Sequence, residues 1–178
     1  MQWLKTGFMV ILVLIAVFLL VGLLVLPDRV FVDRTITITA PPERIFPLVS
    51  NFREFNRWSP WAEKDPNTQY TFEGPESGVG AKVYWYSENK QVGSGSQEII
   101  ETRDNEFVRT ALDFGEQGTA SASYMIESTS EGSRVTWGLM VDAEGSIIGR
   151  YFGLLMNRMV GPEYEKGLDN LRKIAENR

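Results

Sequence analysis

The chain has 178 residues, 43% of them hydrophobic, and a formal net charge of −5 at pH 7. It contains no histidine and no cysteine, which excludes disulfides, thiolate nucleophiles, Ser–His–Asp catalysis and metal sites with His or Cys ligands. The acidic balance, without any basic run, argues against nucleic acid as a partner. We predict no metal, no cofactor and no catalytic residue, and carboxylates remain the main possible source of acid–base chemistry.

The first 29 residues predict a membrane anchor. Phe8–Leu26 contains 19 residues, of which 16 are Leu, Ile, Val or Phe, and no charged residue lies within it. A helix of this length extends about 28 Å, close to the hydrocarbon thickness of a bilayer. A cleavable signal peptide is the alternative, but its apolar region is shorter and ends in a small-x-small site, which Leu24–Asp28 lacks. We therefore expect residues 1–29 to form an uncleaved, single-pass anchor that associates the protein with the membrane through Phe8–Leu26.

The charges that flank this segment predict its orientation. Lys5 precedes the apolar stretch, whereas Asp28 partly offsets Arg29 directly after it. By the positive-inside rule, the N-terminus is expected in the cytoplasm and residues 30–178 in an extracytoplasmic (periplasmic) location.

Residues 30–178 predict one domain that begins with a strand. In Val30–Thr39, isoleucines alternate with threonines, and Pro42 then begins a helix that Pro47 must keep short. Six further strands, separated by turn residues at even spacing, are predicted over Gln69–Glu73, Ala81–Tyr86, Gly95–Glu101, Phe107–Phe114, Thr119–Glu127 and Arg134–Val141. Even spacing of this kind is typical of consecutive antiparallel hairpins.

The last segment, Ser146–Asn177, predicts a helix. Its second part has one apolar stripe, whereas the part before Gly161-Pro162 is apolar on nearly every side and needs more than one partner. Gly161-Pro162 is expected to kink or restart the helix. The whole order predicts an α+β fold, in which an antiparallel sheet of about seven strands curves around a long C-terminal helix and encloses a cavity.

Five segments carry a resemblance to a known family: Arg34–Phe46, Trp58–Trp61, Gly74–Gly80, Gly93–Ser96 and Gly161–Leu171. The chain resembles the helix-grip proteins of the SRPBCC (START/Bet v 1-like) superfamily, and most closely their bacterial polyketide cyclase/dehydrase-like branch. The N-terminal hydrophobic span before the domain is similar to the arrangement found in this branch. The resemblance implies a cavity for lipids, sterols, polyketides or similar molecules, but it implies no activity, since the superfamily includes carriers, sensors, co-chaperones and enzymes.

We therefore predict that a hydrophobic small molecule binds between the sheet and the C-terminal helix. The candidate side chains are large aromatic, aliphatic and thioether groups, which suit an apolar ligand. They are Trp58, Trp61, Trp85, Trp137, Leu139, Met140, Phe152, Met156 and Met159. For the tryptophans, ordinary core packing is the competing interpretation.

Two other interpretations remain open from the sequence. One is a cyclase or hydrolase that uses tyrosine or carboxylates, of which Glu73, Glu98 and Asp113 lie within predicted strands. Arg109 shares a face with Asp113, but Val108, Thr110, Leu112 and Phe114 make the better inward face, which places that pair at the surface. The other is a protein-interaction module, which an exposed apolar patch would favour. The identity of the ligand and the oligomeric state stay open.

Overall fold

The structure is a computed structural model that describes residues 2–143 and 145–177; Met1, Glu144 and Arg178, which belong to the predicted anchor and domain, lie outside the described residues. A long helix, α1, begins the chain, and a second long helix, α5, ends it. Between them lie three short helices and seven strands. Their bounds are α1 Gln2–Leu24, β1 Arg29–Ile38, α2 Pro42–Val49, α3 Phe52–Phe55, α4 Pro60–Lys64, β2 Gln69–Glu73, β3 Lys82–Tyr86, β4 Ser94–Arg103, β5 Phe107–Asp113, β6 Thr119–Thr129, β7 Gly132–Asp142 and α5 Ile147–Glu176.

The strands form one antiparallel sheet in the order β1-β7-β6-β5-β4-β3-β2. Strands β2 to β7 follow one another as hairpins, and β1 pairs with β7, so that β1 and β2 occupy the two edges. The turns use residues that adopt positive φ, among them Gly78, Gly80 and Asn105. This arrangement confirms the predicted curved sheet with a long C-terminal helix, and the glycines around Val79 form a turn.

One face of the sheet carries the core. Side chains alternate along each strand, and β7 buries Val135, Trp137 and Leu139, with Arg134 exposed directly before this series. We call the face that contains Trp137 the inner face. The short helices add Leu48, Val49 and Trp58 to the same core, so the segment between β1 and β2 covers part of this face.

Helix α5 lies against edge strand β1 and runs in the same direction. Gly153 approaches Val30, and Gly161 approaches Arg34, so closely that a Cβ atom at either glycine would collide with the strand's side chain. Glycine at these two positions therefore sets the distance between helix and sheet. Further along α5, Tyr164 packs flat on Trp137, with ring centroids 3.8 Å apart.

The predicted restart of the helix at Gly161-Pro162 is wrong, because α5 continues unbroken through Pro162 for 30 residues. Pro162 lacks one backbone donor, but the packing of Gly161 on Arg34 and of Tyr164 on Trp137 holds the turns on both sides against the sheet. In the same way α2 continues through Pro47, although at eight residues it is as short as predicted.

Helix α1 stands mostly clear of the domain. Within the described residues, Thr6–Leu24 is the one helical segment long and apolar enough to cross a membrane. This finding rests on length and composition, which an N-terminal signal sequence shares. The last turns of α1 contact the beginning of α5.

Candidate functional site

An aromatic cluster fills the centre of the domain. Trp58 and Trp137 are fully buried, with ring centroids 5.2 Å apart in an edge-to-face arrangement. The indole of Trp58 donates a hydrogen bond of 2.9 Å to the carbonyl oxygen of Leu48, and Trp61 packs edge-on against Trp137 at 5.9 Å. These contacts join α2, the α3–α4 region and α5 to the sheet, and the three tryptophans are therefore part of the packed core.

Two polar atoms inside this cluster have no hydrogen-bond partner among the described residues. They are the phenolic oxygen of Tyr124 and Nε1 of Trp137, whose rings lie 5.4 Å apart. Burial raises the pKa of Tyr124 well above its ordinary value, so the phenol stays neutral and can donate a hydrogen bond to an acceptor. A buried donor without a partner costs about 1–3 kcal/mol, so an acceptor atom at either group would be favourable.

The inner face loses its cover at one end of the sheet. Val141, Ala120 and Leu112 are adjacent in register and only half-buried, whereas the next row of the same strands, which contains Ala122 and Thr110, is fully buried. Val30 on β1 extends this half-buried row, and α5 adds two half-buried side chains to its border. We call this region the apolar mouth; it consists of Val30, Leu112, Ala120, Val141, Met156 and Val160.

The apolar mouth lies at the end of the sheet where α1 joins the domain. Strand β1 starts there at Arg29, and β7 ends there at Asp142. On the same face of the sheet and at the same end, Trp85 packs over Gly95 and edge-on against Phe114 at 5.9 Å. An apolar opening and the apolar helix are therefore neighbours in the fold.

The structure brings some of the predicted ligand-binding residues together and separates others. Leu139 and Trp137 lie on the inner face, and Met156 lies at the apolar mouth. Met140 alternates with Leu139 and therefore lies on the opposite face of β7, opposite the exposed Phe31. The side chains of Phe152 and Met159 are exposed along α5 and lie outside the interior of the domain.

The candidate carboxylates lie away from the inner face. Asp113 accepts a hydrogen bond from the backbone N–H of Gly115 in the turn that follows β5, and Arg109 forms an exposed ion pair with Glu101 at 3.0 Å. This confirms the surface position predicted for Arg109 and Asp113. Glu98 is 3.5 Å from the ammonium group of Lys82 on the neighbouring strand, and Glu73 is exposed at the end of β2.

One charged residue on the inner face was missed by the sequence analysis. Arg34 is paired in register with Trp137, and its guanidinium group passes beneath α5 at Gly161. It donates to Glu165 at 2.5 Å and to Asn157 at 3.0 Å. The sequence contains the signal, since Arg34 has the same strand parity as Val32 and Ile36, which are inward-facing.

A second polar junction joins α1 to α5. Nη1 of Arg150 donates to the carbonyl oxygens of Gly22 and Leu23, each at 2.9 Å, and Nη2 forms an ion pair with Asp28. Tyr151 donates to the carbonyl oxygen of Phe18 at 2.8 Å, and their rings stack at 4.2 Å. The guanidinium group therefore caps the carbonyl end of α1, where positive charge is favourable.

Two hollows on the described surface lie elsewhere. One, of about 330 Å³, lies between α3 and the β2–β3 turn and is lined by Phe52, Arg53 and Glu73 among others. The other, of about 550 Å³, lies between the start of α2 and the β4–β5 turn. Neither hollow includes a residue of α5 or any of the predicted ligand-binding residues.

The curved antiparallel sheet and the long C-terminal helix define a helix-grip protein of the SRPBCC class. The chain belongs to the family described as polyketide cyclase/dehydrase and lipid transport, whose model matches residues 29–176. No curated protein sequence matches the chain.

Solved structures share the fold at low sequence identity. An uncharacterised protein from Rhizobium leguminosarum has a TM-score of 0.63 at 17% identity, over 85% of this chain and 97% of that one. A protein of unknown function from Staphylococcus aureus has a TM-score of 0.64 at 10% identity, over 84% and 95%. The Aha1 dimer from Colwellia psychrerythraea has a TM-score of 0.57 at 16% identity, over 83% and 96%.

Proposed function

We propose that this protein is tethered to a membrane by residues 1–29, and that its domain, residues 30–178, binds a hydrophobic small molecule at the apolar mouth. The observation that carries the proposal is that no element fully covers Val141, Ala120 and Leu112, so these apolar side chains stay partly exposed on the inner face of the sheet in the described part of the chain. Exposed apolar surface of this kind gains free energy when a ligand removes it from water. The family description, which includes lipid transport, supports the same class of ligand.

Two features of the interior favour a ligand that also carries a hydrogen-bond acceptor. Among the described residues, Tyr124 and Trp137 each bury a donor without a partner, four residue pairs further into the sheet than the apolar mouth. The buried hydrogen bond of 2.8 Å between Gln97 and Thr110 adds a polar pair on the neighbouring strands. A molecule with an apolar body and one carbonyl, carboxyl or ester group fits this arrangement.

The two alternatives receive different support. None of Glu73, Glu98 and Asp113 faces the interior, so the described carboxylates give no support to a cyclase or hydrolase. A protein-interaction module would use the exposed apolar side chains at the start of α5. Those side chains adjoin α1, the helix that is apolar enough to cross a membrane, so they favour lipid over protein as their partner.

Mass spectrometry of the purified full chain tests ligand binding. The protein is extracted from membranes in mild detergent, washed, and compared as wild type, Ala120→Trp and Ala111→Trp. Ala120 lies at the apolar mouth, whereas Ala111 is exposed on the other face of the neighbouring strand, so the second variant controls for the added indole. We expect one co-purifying apolar species in the wild type and in Ala111→Trp, and its loss in Ala120→Trp. Equal recovery from both variants, or recovery of none from the wild type, would contradict the proposal.

Two measurements test the tether and its orientation. The intact mass of the membrane-extracted protein is expected to include Phe8–Leu26, whereas cleavage after this segment would show a signal sequence. Because the chain has no cysteine, Ser128→Cys, at an exposed position near the end of β6, provides one labelling site. If the domain is extracytoplasmic, a membrane-impermeant maleimide is expected to label Ser128→Cys in intact cells. Labelling only after lysis would show that the domain lies in the cytoplasm.

A further inference from the structure

The first half of α5 exposes a continuous apolar stripe. Ile148, Phe152, Leu155 and Met159 follow one another at steps of 4, 3 and 4 residues, and they are 76%, 49%, 49% and 54% exposed. We call these four residues the α5 stripe. An exposed apolar patch of this kind on a folded domain marks an interaction site.

The contacts of α5 with α1 place the α5 stripe at the level of the apolar helix. Ile147 packs on Gly22, and Tyr151 stacks on Phe18, which lies inside the segment that could cross a membrane. Phe18 precedes the end of that segment, Leu24, by six residues, which corresponds to about 9 Å along a helix. If α1 spans a bilayer, Tyr151 therefore lies below the lipid headgroups, and the α5 stripe, on the same turns of α5, lies beside it.

The charges along α5 change at the same position as its exposed surface. Residues 147–160 include Arg150 and Arg158 and no acidic residue, whereas residues 161–176 include four acidic residues. Continued by steps of seven from Met159, the line of the α5 stripe reaches Lys166 and Lys173, which are both exposed. A basic helix with an apolar side is typical of segments that lie in the membrane interface.

Arg150 holds this arrangement together. Its guanidinium group is nearly buried between the carbonyl end of α1 and Asp28, and it fixes the first turn of α5 to the last turn of α1. The two helices therefore share one position relative to the bilayer, and the α5 stripe cannot move away from the lipid independently of α1.

We propose that the α5 stripe is inserted into the same leaflet that α1 leaves, so that α5 starts as an interfacial helix and the apolar mouth opens at the lipid surface. This inference rests on the proposed tethering of residues 1–29. It adds a second attachment, and it makes the ligand a membrane-resident amphiphile that moves between the bilayer and the domain without crossing water.

Depth-dependent fluorescence quenching of the full chain tests this inference. The cysteine-free chain permits single-cysteine variants, each labelled with the environment-sensitive dye NBD and reconstituted into phosphatidylethanolamine/phosphatidylglycerol vesicles. Phe152→Cys and Met159→Cys report on the α5 stripe, and Lys173→Cys is the matched control on the same line of the helix. Leu14→Cys, near the middle of the apolar part of α1, reports on the tether.

We expect blue-shifted emission and strong quenching by lipids with a shallow nitroxide for Phe152→Cys and Met159→Cys, and neither effect for Lys173→Cys. Leu14→Cys is expected to be quenched most by a deep nitroxide. Quenching of Leu14→Cys alone would overturn the inserted stripe and leave the tether in place. Loss of quenching at all positions would overturn the tether as well. Efficient cross-linking of Phe152→Cys between chains, without quenching by lipid, would assign the α5 stripe to a second copy and overturn the inference.

Discussion

The two halves of α5 are one continuous helix with different surroundings. Residues 161–176 bury Tyr164, Leu168 and Leu171 on the inner face and present charged side chains outward, as the helix of a water-soluble domain does. Residues 147–160 contact α1 on one side, and on the other they present the exposed α5 stripe. The comparison teaches that one continuous helix can present an exposed apolar surface before Gly161 and a charged one after it.

The polar contacts of the two halves differ in the same way. The second half is linked to α4 by the ion pairs Lys64–Glu163 and Glu63–Lys166, both 2.6 Å long. The first half is linked to α1 through Arg150, which bonds mainly to backbone carbonyl oxygens. The second half therefore packs on the domain, whereas the first half packs on the domain at Val30 and also on the apolar helix, and the following variants test these contacts separately.

The largest difference in the free energy of unfolding is expected between two leucine-to-alanine variants, one in each half of α5. Leu171→Ala removes a fully buried side chain and is expected to lower the free energy of unfolding by about 2–5 kcal/mol. Leu155→Ala removes an exposed side chain and should change it by less than about 0.5 kcal/mol. Urea unfolding of both variants in the same detergent micelles, followed by tryptophan fluorescence, measures the difference. Equal losses would show that both halves are packed alike.

The next largest effect is expected at the junction of α1 and α5. Arg150→Ala leaves the carbonyl end of α1 without its charged donor and should lower the free energy of local opening by about 1.5–3 kcal/mol, the usual range for hydrogen bonds to charged groups. Hydrogen exchange should show faster exchange in residues 147–156 and unchanged protection around Leu168. Arg158→Ala, an exposed arginine of the same half, is the control and should leave both regions unchanged. Faster exchange throughout α5 would show that the halves do not behave separately.

A smaller effect, an increase in the free energy of unfolding, is expected from Tyr124 in the core beneath the second half of α5. Tyr124→Phe removes a buried hydroxyl that has no hydrogen-bond partner in the described part of the chain, and it should raise the free energy of unfolding by about 1 kcal/mol. If the hydroxyl serves a ligand, the same variant should lose part of the co-purifying species. Greater stability together with full retention of the co-purifying species would show that the Tyr124 hydroxyl does not contribute to ligand binding.

The smallest effect is expected from the pH dependence of the contact with α4. The hydrogen bond from Lys166, together with its charge, lowers the pKa of Glu63 below the ordinary value of 4.5. This contact therefore stabilises the fold fully above the ordinary pKa, and the contribution is lost as the pH falls through the lowered value. Because both side chains are largely exposed, solvent weakens the effect. The difference in unfolding midpoint between wild type and Lys166→Met should be present at pH 7 and shrink as the pH falls through the lowered pKa of Glu63, and a constant difference would contradict this.

The sequence predicted the sheet well because alternation and turn residues are local signals. Gln69–Glu73 matches in both bounds, and the other strands differ by at most two residues at either end. The predicted restart at Pro162 does not occur because the packing of α5 on Arg34 and Trp137 depends on residues more than twenty positions away in the chain. Tertiary contacts of this kind override the local preference for a helix break.

The candidate site was less predictable than the fold. The tryptophans were identifiable as large apolar groups, but whether they fill the core depends on the register between strands and on the position of α5. The unpartnered atoms of Tyr124 and Trp137 follow from three-dimensional packing alone. The same holds for the junction of Arg150 with Gly22, which joins residues separated by almost the whole domain.

The pairing of β1 with β7 has a consequence for how the chain is made. Apart from the contacts of α5, β1 has one strand partner, and partners such as Val32 and Leu139 are about a hundred residues apart in sequence. At synthesis rates of about 5–20 residues per second, β1 waits roughly 5–20 seconds for β7. During that interval its unpaired backbone is accompanied by Thr35, Thr37 and Asp33, whose polar side chains disfavour association with other strands and with lipid. The sheet is therefore completed only once β7 has been made, and α5, which follows β7, then packs against β1.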